Sequence, residues 1–388
     1  MGGAVFTITA LAFFRVPILP SIGDDLSMST TQLGMFTATY ALGRLLTDVP
    51  AGAMADRLPA TSIVSRAAWL VAAGSALLAG APVALAAYAA IFVLGVGTAL
   101  TNTAGAAYFS TVGPVSRRGI AVSGFAAAQL GGQAFGPAIA GGLASFGGWR
   151  TAETIAVAVA LGLVAAVGSR ARGGTVTAQE RRRSGDGAGP TAQWVLSRSA
   201  RIVLFSVPFV MFLTIGSMIQ TLAPVIGDEA LGLTPAVIGL AAGLGGLCRL
   251  IGAIVGGQVA DRVARKAALV PGLAIQTVGV VLLAFGSGIP MYLIAIALLS
   301  LGSIGTSIAI AVLADLSTPG TLGRNLGRFR FVGDVGLIVG PIMTARIYDS
   351  VGRTTAVLPV AALAAICAIA VAVVIPETRW GSAVERRS

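Results

Sequence analysis

The sequence predicts an all-α integral membrane protein whose twelve transmembrane helices form two six-helix bundles related by a parallel repeat. Three observations carry that prediction. Of 388 residues, 56% are hydrophobic and 11% charged, with a mean hydropathy of +0.89. A water-soluble domain carries about 25% charged residues to cover its surface, so this surface faces something other than water. Apolar runs long enough to cross a bilayer recur along the whole chain, and its two halves align with each other. The 52 glycines suit membrane helices, which approach one another through small residues.

A helix needs about 20 apolar residues to cross the hydrocarbon core. Such runs lie at 4–22, 33–53, 62–80, 84–107, 119–144, 151–169, 200–222, 235–257, 268–286, 291–313, 326–347 and 355–375. The first lacks a basic lead-in and ends in Pro17 and Pro20, so it reads as a span and not as a cleaved leader.

Alternate loops differ in charge. One set holds Arg57, Arg66, Arg117, Arg118, Arg262, Arg265, Lys266, Arg324 and Arg328, together with the arginine-rich segment 170–201 and the C-terminal tail. The other holds Asp24, Asp25, Asp228 and Glu229, with Arg150, Arg346 and Arg353 as its cations. The positive-inside rule assigns the first set and both termini to the cytoplasm of a multi-pass cell-membrane protein. The net charge of +11 is then a topology signal that calls for no nucleic acid. Segment 170–199, with Arg181, Arg182 and Arg183 near Gly185, Gly187 and Pro190, has the composition of a flexible cytoplasmic linker. It divides an N-terminal bundle (1–169) from a C-terminal one (200–376), and 377–388 forms a cytoplasmic tail.

Composition excludes several function classes. There is no histidine, the commonest general base and metal ligand. Cys248 and Cys367 lie in apolar runs without metal-ligand spacing. No nucleophile–base set and no G-x-x-x-x-G-K-[ST] loop occurs. An enzyme, a resident metal or cofactor and ATP-driven transport are therefore not expected.

The repeat is read by sliding the chain on itself. A shift of 205 residues places Gly34 on Gly239, Arg44 on Arg249, Gly52 on Gly257, Asp56 on Asp261 and Arg57 on Arg262. One residue less places Gly132 on Gly336 and Gly136-Pro137 on Gly340-Pro341. Parallel repeats of six helices are a transporter architecture, with the solute site near the midplane between the halves.

Three motifs give the chain a family resemblance. Gly52-Ala-Met-Ala-Asp56-Arg57 follows the second span and recurs as Gly257-Gln-Val-Ala-Asp261-Arg262-Val-Ala-Arg265-Lys266 after the eighth. The fifth span carries Gly132-Gln-Ala-Phe-Gly136-Pro137-Ala-Ile-Ala-Gly141-Gly142, and Pro17-Ile-Leu-Pro20 closes the first. Over essentially its whole length the chain resembles the major facilitator superfamily, whose loop motif reads G-x-x-x-D-R-x-G-R-K and whose antiporters carry a glycine–proline motif in helix 5. The resemblance implies alternating access by two rocking bundles, with helices 2 and 11 facing each other, helices 5 and 8 adjacent, and helices 1, 4, 7 and 10 lining a cavity. It also implies that a monomer suffices. There are departures. The first loop copy runs into Leu58-Pro59-Ala60 without a basic tail, and the helix 5 motif has one residue too many between Pro137 and Gly141. Where proton-driven exporters of the family often place an arginine before G-x-G in helix 4, this chain has Ile91.

Ionised side chains at mid-membrane cost about 2.5–3.5 kcal/mol each on insertion scales, so each needs a reason. Arg44 with Asp48 in the second span and Arg330 with Asp334 in the eleventh have i,i+4 spacing, which sets partners on one face. With helices 2 and 11 opposed, the four form one expected gate, extended by Asp56 and Arg57 and, in the second half, by Asp261 and Arg262. Gly132, Gly136, Pro137, Gly141 and Gly142 are the expected helix-packing motif. Arg249 lacks a helical partner, because Ala253 replaces the counterpart of Asp48, and it can reach Gln129 or Gln133. Arg15 is either a binding charge or a side chain that snorkels to water. Further solute-binding candidates near the midpoints of helices 1, 4, 7 and 10 are Phe13, Thr98, Asn102, Met211, Thr214, Ser303 and Thr306. Counted within the spans, Arg15, Arg44, Arg249 and Arg330 outnumber Asp48 and Asp334 by two.

The expected function is movement of a small organic solute by secondary active transport. The helix 5 motif favours efflux in exchange for protons. The arginine surplus favours, as the alternative, uptake or exchange of an organic anion. A sensor or scaffold of the same fold is the expectation from a different class.

Overall fold

The computed structural model describes residues 1–112, 118–171, 197–303, 305–315 and 322–375. Among them, nine helices are long and apolar enough to cross a membrane. One of these, 120–168, holds two spans. Thr30–Arg57 is long enough but not apolar enough for that criterion, and the tenth span is broken into two shorter helices.

In chain order the helices are α1 (Gly2–Asp25), α2 (Thr30–Arg57), α3 (Ala60–Ala79), α4 (Ala84–Thr111), α5 (118–147) and α6 (149–171). The second half contains α7 (Arg198–Ala230), α8 (Pro235–Arg262), α9 (Arg265–Phe285), α10 (Ile289–Gly302 and Gly305–Asp315), α11 (Leu322–Val351) and α12 (Arg353–Val374). Each of the twelve expected spans falls on one of them. Most of the expected linker and the whole tail lie outside the described residues.

Local chemistry explains the boundaries. Ser29 starts α2 with a capping box closed by Gln32, satisfying helix-terminal N–H groups that would otherwise be bare. Pro17 has no N–H to offer the Phe13 carbonyl, and α1 is interrupted at Phe14. Gly148 (φ 78°) separates α5 from α6, and Gly352 (φ 93°) separates α11 from α12. Both adopt a left-handed conformation that glycine reaches without a side-chain clash. They are repeat counterparts, and an arginine follows each closely. Arg150 donates to the Ala81 carbonyl after α3, and Arg353 donates to Leu283 and Gly286 at the end of α9. A cation at helix-terminal carbonyls is favourable in both places.

The apolar core follows the repeat. One buried cluster belongs almost entirely to α1–α6, and two more belong to α7–α12. The halves touch chiefly through α2 against α11 and α8 against the α5–α6 unit, the neighbours that the resemblance implies. They pack tightly from mid-helix, where a side chain on Gly246 would strike Ala134, to the end of the molecule opposite the N-terminus. There, a side chain on Gly34 would strike Pro341, one on Gly141 would strike Pro235, and one on Gly239 would strike Pro137. Gly52, Gly124, Gly257 and Gly327, at the other ends of the same four helices, have open space around them. The helices therefore splay toward the end that carries the N-terminus, Arg57 and Arg262, the basic end.

α7 departs from regular geometry. Residues Ile215–Leu222 and Ile226–Ala230 form π-helical turns, an uncommon conformation that concentrates at functional sites.

Candidate functional site

A cavity of about 200 Å³ lies between the halves on the splayed side. Its wall includes Arg44 and Asp48 of α2, Asn102 of α4, Gln129 of α5, Thr306 of α10, and Arg330 and Asp334 of α11. Phe125, Phe212 and Phe329 supply apolar surface. Sparse polar groups set in aromatic wall suit a small amphipathic molecule.

The four expected gate charges thus meet at one cavity. Asp334 is buried at 3% exposure, while Arg330 is exposed. Asp48 and Asp334 approach each other across the halves, with Arg44 and Arg330 acting on both. Yet no ion pair joins any of the four among the described residues, whereas Arg150 does pair with Asp25, at 2.9 Å. The i,i+4 spacing set the partners on one face without closing them into salt bridges. The expected extension of this network is not visible. The Asp56 and Asp261 side chains lie outside the described residues, and Arg57 and Arg262 are exposed at their helix ends.

Other candidates divide into cavity wall and packing. Gln129 donates to Asn102 at 2.8 Å, so two of the expected residues present one joined polar surface. Arg249 donates to Gln133 at 2.9 Å, across the expected α5–α8 contact. With Phe13, Pro137 and Ser300 these line a second space of only about 30 Å³, enough for water but not for an organic solute. Thr98, Thr214 and Ser303 are buried and bond back to Leu94, Val210 and Ser300 of their own helices. Met211 is fully buried and accepts from Thr306 at 3.3 Å. The three hydroxyls are thus taken up by carbonyls of their own helices, and Met211 is packed inside the bundle.

The glycines of the helix 5 motif differ in their surroundings. Gly132 and Gly136 press on the backbone of α1 at Phe6 and Ala10, and Gly141 presses on α8. Gly142 faces open space and packs against nothing. The extra residue in the motif turns it away from the contact.

Arg15 does not snorkel. It is 1% exposed, donates to Gln220 of α7 at 2.7 Å, and lies 4.1 Å above the Tyr40 ring. Gln220 follows Arg15 by 205 residues, the same offset that aligns Gly34 with Gly239. The bond therefore joins repeat-equivalent positions across the two halves. Beside it the hydroxyls of Thr37 and Thr221 are 3.0 Å apart. Gln220, Tyr40, Thr37 and Thr221 were missed from sequence. Comparing polar residues at equivalent repeat positions would have found Gln220.

Glu153 was missed too, and it corrects the charge count. It sits in α6 at 1% exposure, a third acid within the spans against the four arginines. It lies within the sixth apolar run, 151–169, and was left out of the count of charges within the spans. At the cavity itself Arg44 and Arg330 balance Asp48 and Asp334, so no net positive charge faces a solute there.

Comparison with known proteins agrees with this geometry. The family model of the Major Facilitator Superfamily matches residues 1–234 and again 209–386. The class C tetracycline resistance protein of Escherichia coli is 26% identical over 345 residues, covering 87% of this chain and 86% of its own length. Among solved structures, a point mutant of the nucleoside transporter NupG superposes with a TM-score of 0.76 at 14% identity, covering 97% of this chain and 98% of its own. The xylose transporter XylE of E. coli, in an inward-open conformation, gives 0.75 at 14% identity, covering 98% and 97%. Matched through both halves, the chain belongs to the Major Facilitator Superfamily and is a multi-pass membrane transporter, not an enzyme.

Proposed function

We propose that the chain exports a small organic solute from the cytoplasm in exchange for protons. One observation carries the reading: a cavity between the halves, open toward the basic end and lined by charges from both halves. Under the positive-inside rule that end is cytoplasmic. The cavity is then placed to take solute from inside the cell. The tetracycline resistance relative supports export of an amphipathic compound. The balanced charges of the cavity favour this reading over uptake of an organic anion, which rests on a surplus of arginine.

Arg44, Asp48, Arg330 and Asp334 serve as the inner gate. In a conformation open at the basic end they line the cavity without ion pairs, and closure of α2 on α11 brings them into ion pairs. Apolar wall and the Asn102–Gln129 pair hold the solute.

The test is transport in proteoliposomes across a panel of amphipathic solutes, with and without an imposed proton gradient. Solute accumulation driven by the gradient supports antiport. Flux that ignores the gradient refutes the coupling, and binding without flux favours a sensor.

A further inference from the structure

Glu153 is buried in the membrane with its Oε2 atom lacking any hydrogen-bond partner. Ser75 of α3 lies beside it, outside hydrogen-bond geometry, and its hydroxyl also lacks a partner. The cation within electrostatic reach is Arg15 of α1, and no ion pair joins the two among the described residues. Arg15 is committed elsewhere, to Gln220 across the halves and to the Tyr40 ring, yet its Nε and Nη1 atoms have no partner. An acid and a cation are thus buried near each other, each partly unsatisfied. That arrangement is costly for a static core.

The remaining charged and titratable groups nearby are few. Arg150, one helical turn from Glu153 on α6, is held by Asp25 of α1, by the Ala81 carbonyl and over the Trp149 ring. From α2, Tyr40 and Arg44 act on Arg15. Tyr88 of α4 is turned to the Gln32 carbonyl.

We propose that Glu153 is a proton-binding site of the transport cycle, with Arg15 as a partner that switches between Gln220 and Glu153. The Arg15–Gln220 bond exists only while the halves meet at the acidic end. When that end opens, the two halves carry Arg15 and Gln220 apart. Arg15 and Glu153 stay together in the N-terminal half, and the freed guanidinium pairs with the carboxylate. One proton leaves the carboxyl for water, and no electrons move. Protonation reverses the step: a neutral Glu153 releases Arg15 to rebuild the Gln220 bond. Acid therefore favours the conformation described here, open at the basic end. An outside proton that drives this closure has the sense antiport requires.

This rests on the proton-coupled reading above, and the experiment separates the two. Spin labels at Val83 and Ser350, in a protein without Cys248 and Cys367, report the distance between the halves at the acidic end as pH is varied. In the otherwise unaltered protein, acid should shorten the distance. Glu153→Gln should hold the short distance at every pH. Gln220→Ala, which frees Arg15, should move the midpoint to lower pH by about one unit, equivalent to tenfold in proton affinity. A distance indifferent to pH in the unaltered protein overturns proton coupling and this site with it. A pH response that survives Glu153→Gln overturns the site alone. Should Glu153→Gln fail to fold, an unmoved midpoint in Gln220→Ala overturns the switch.

Discussion

Gly141 of α5 and Gly239 of α8 meet across the two halves with no side chain between them; a Cβ atom built on either lies 3.0 Å from the other's Cα. Each also faces a proline carbonyl on the opposite helix. Backbone contact of this kind leaves no room for even one methyl group. Gly141→Ala should therefore prevent closure at the acidic end and bias the protein toward the opposite conformation. Gly142→Ala, in open space one residue later, is the matched control. Cysteine labelling near the α5–α8 seam should rise in the first variant and stay unchanged in the second. Equal labelling in both would refute the contact.

Asp334 and Asp48 come from different halves yet act on each other at the cavity wall. Asp334→Asn keeps the shape and removes one charge of four. Transport should fall at least about tenfold, equivalent to ~1.4 kcal/mol in the affected step, with the protein still folded and monodisperse. Arg44→Ala should do the same, since Arg44 acts on both acids. Wild-type flux in both variants would remove the four charges from the mechanism.

How much of this was legible from sequence depended on distance along the chain. Helix positions follow from local hydropathy, and the α2–α11 and α5–α8 neighbours were implied by the family resemblance. Gln133 as partner of Arg249 was also within reach, because both residues are polar in apolar helices. What stayed hidden depends on rotation about helix axes. Thr98 and Thr306 look alike as hydroxyls near a helix midpoint, yet Thr98 is buried and bonds only to its own backbone, whereas Thr306 also reaches Met211 and lines the cavity. Glu153 lies inside the run 151–169, and its burial beside Ser75 and Arg15 is set by residues far away in the sequence.

Those rotations make a prediction of their own. Thr98→Val and Ser303→Ala remove hydroxyls that bond only to their own helices. Such bonds are weak competitors of the helix ladder, so flux should change by less than about twofold. Asn102→Ala removes the acceptor that holds Gln129 at 2.8 Å and should lower apparent solute affinity while leaving maximal flux nearly intact. If Thr98→Val harms affinity more than Asn102→Ala does, the cavity wall is wrongly drawn.

At the acidic end, Thr31 of α2 donates both its backbone N–H and its hydroxyl to one carboxylate oxygen of Asp349 on α11, each at 2.6 Å. The bond spans the halves, as Arg15–Gln220 does, but it lies at the exposed rim. Hydrogen bonds to a charged group contribute about 1.5–3 kcal/mol where water is excluded, and solvent screening reduces that here. Asp349→Asn should leave both donors a weaker acceptor and modestly raise the share of molecules open at this end. Asp349→Ala should raise it further. Because Asp349 touches no part of the cavity, solute affinity measured in the closed-rim conformation should not move, while the rate of interconversion should. A change in affinity without a change in opening would mean that the rim senses the solute directly, and would contradict its role as a latch.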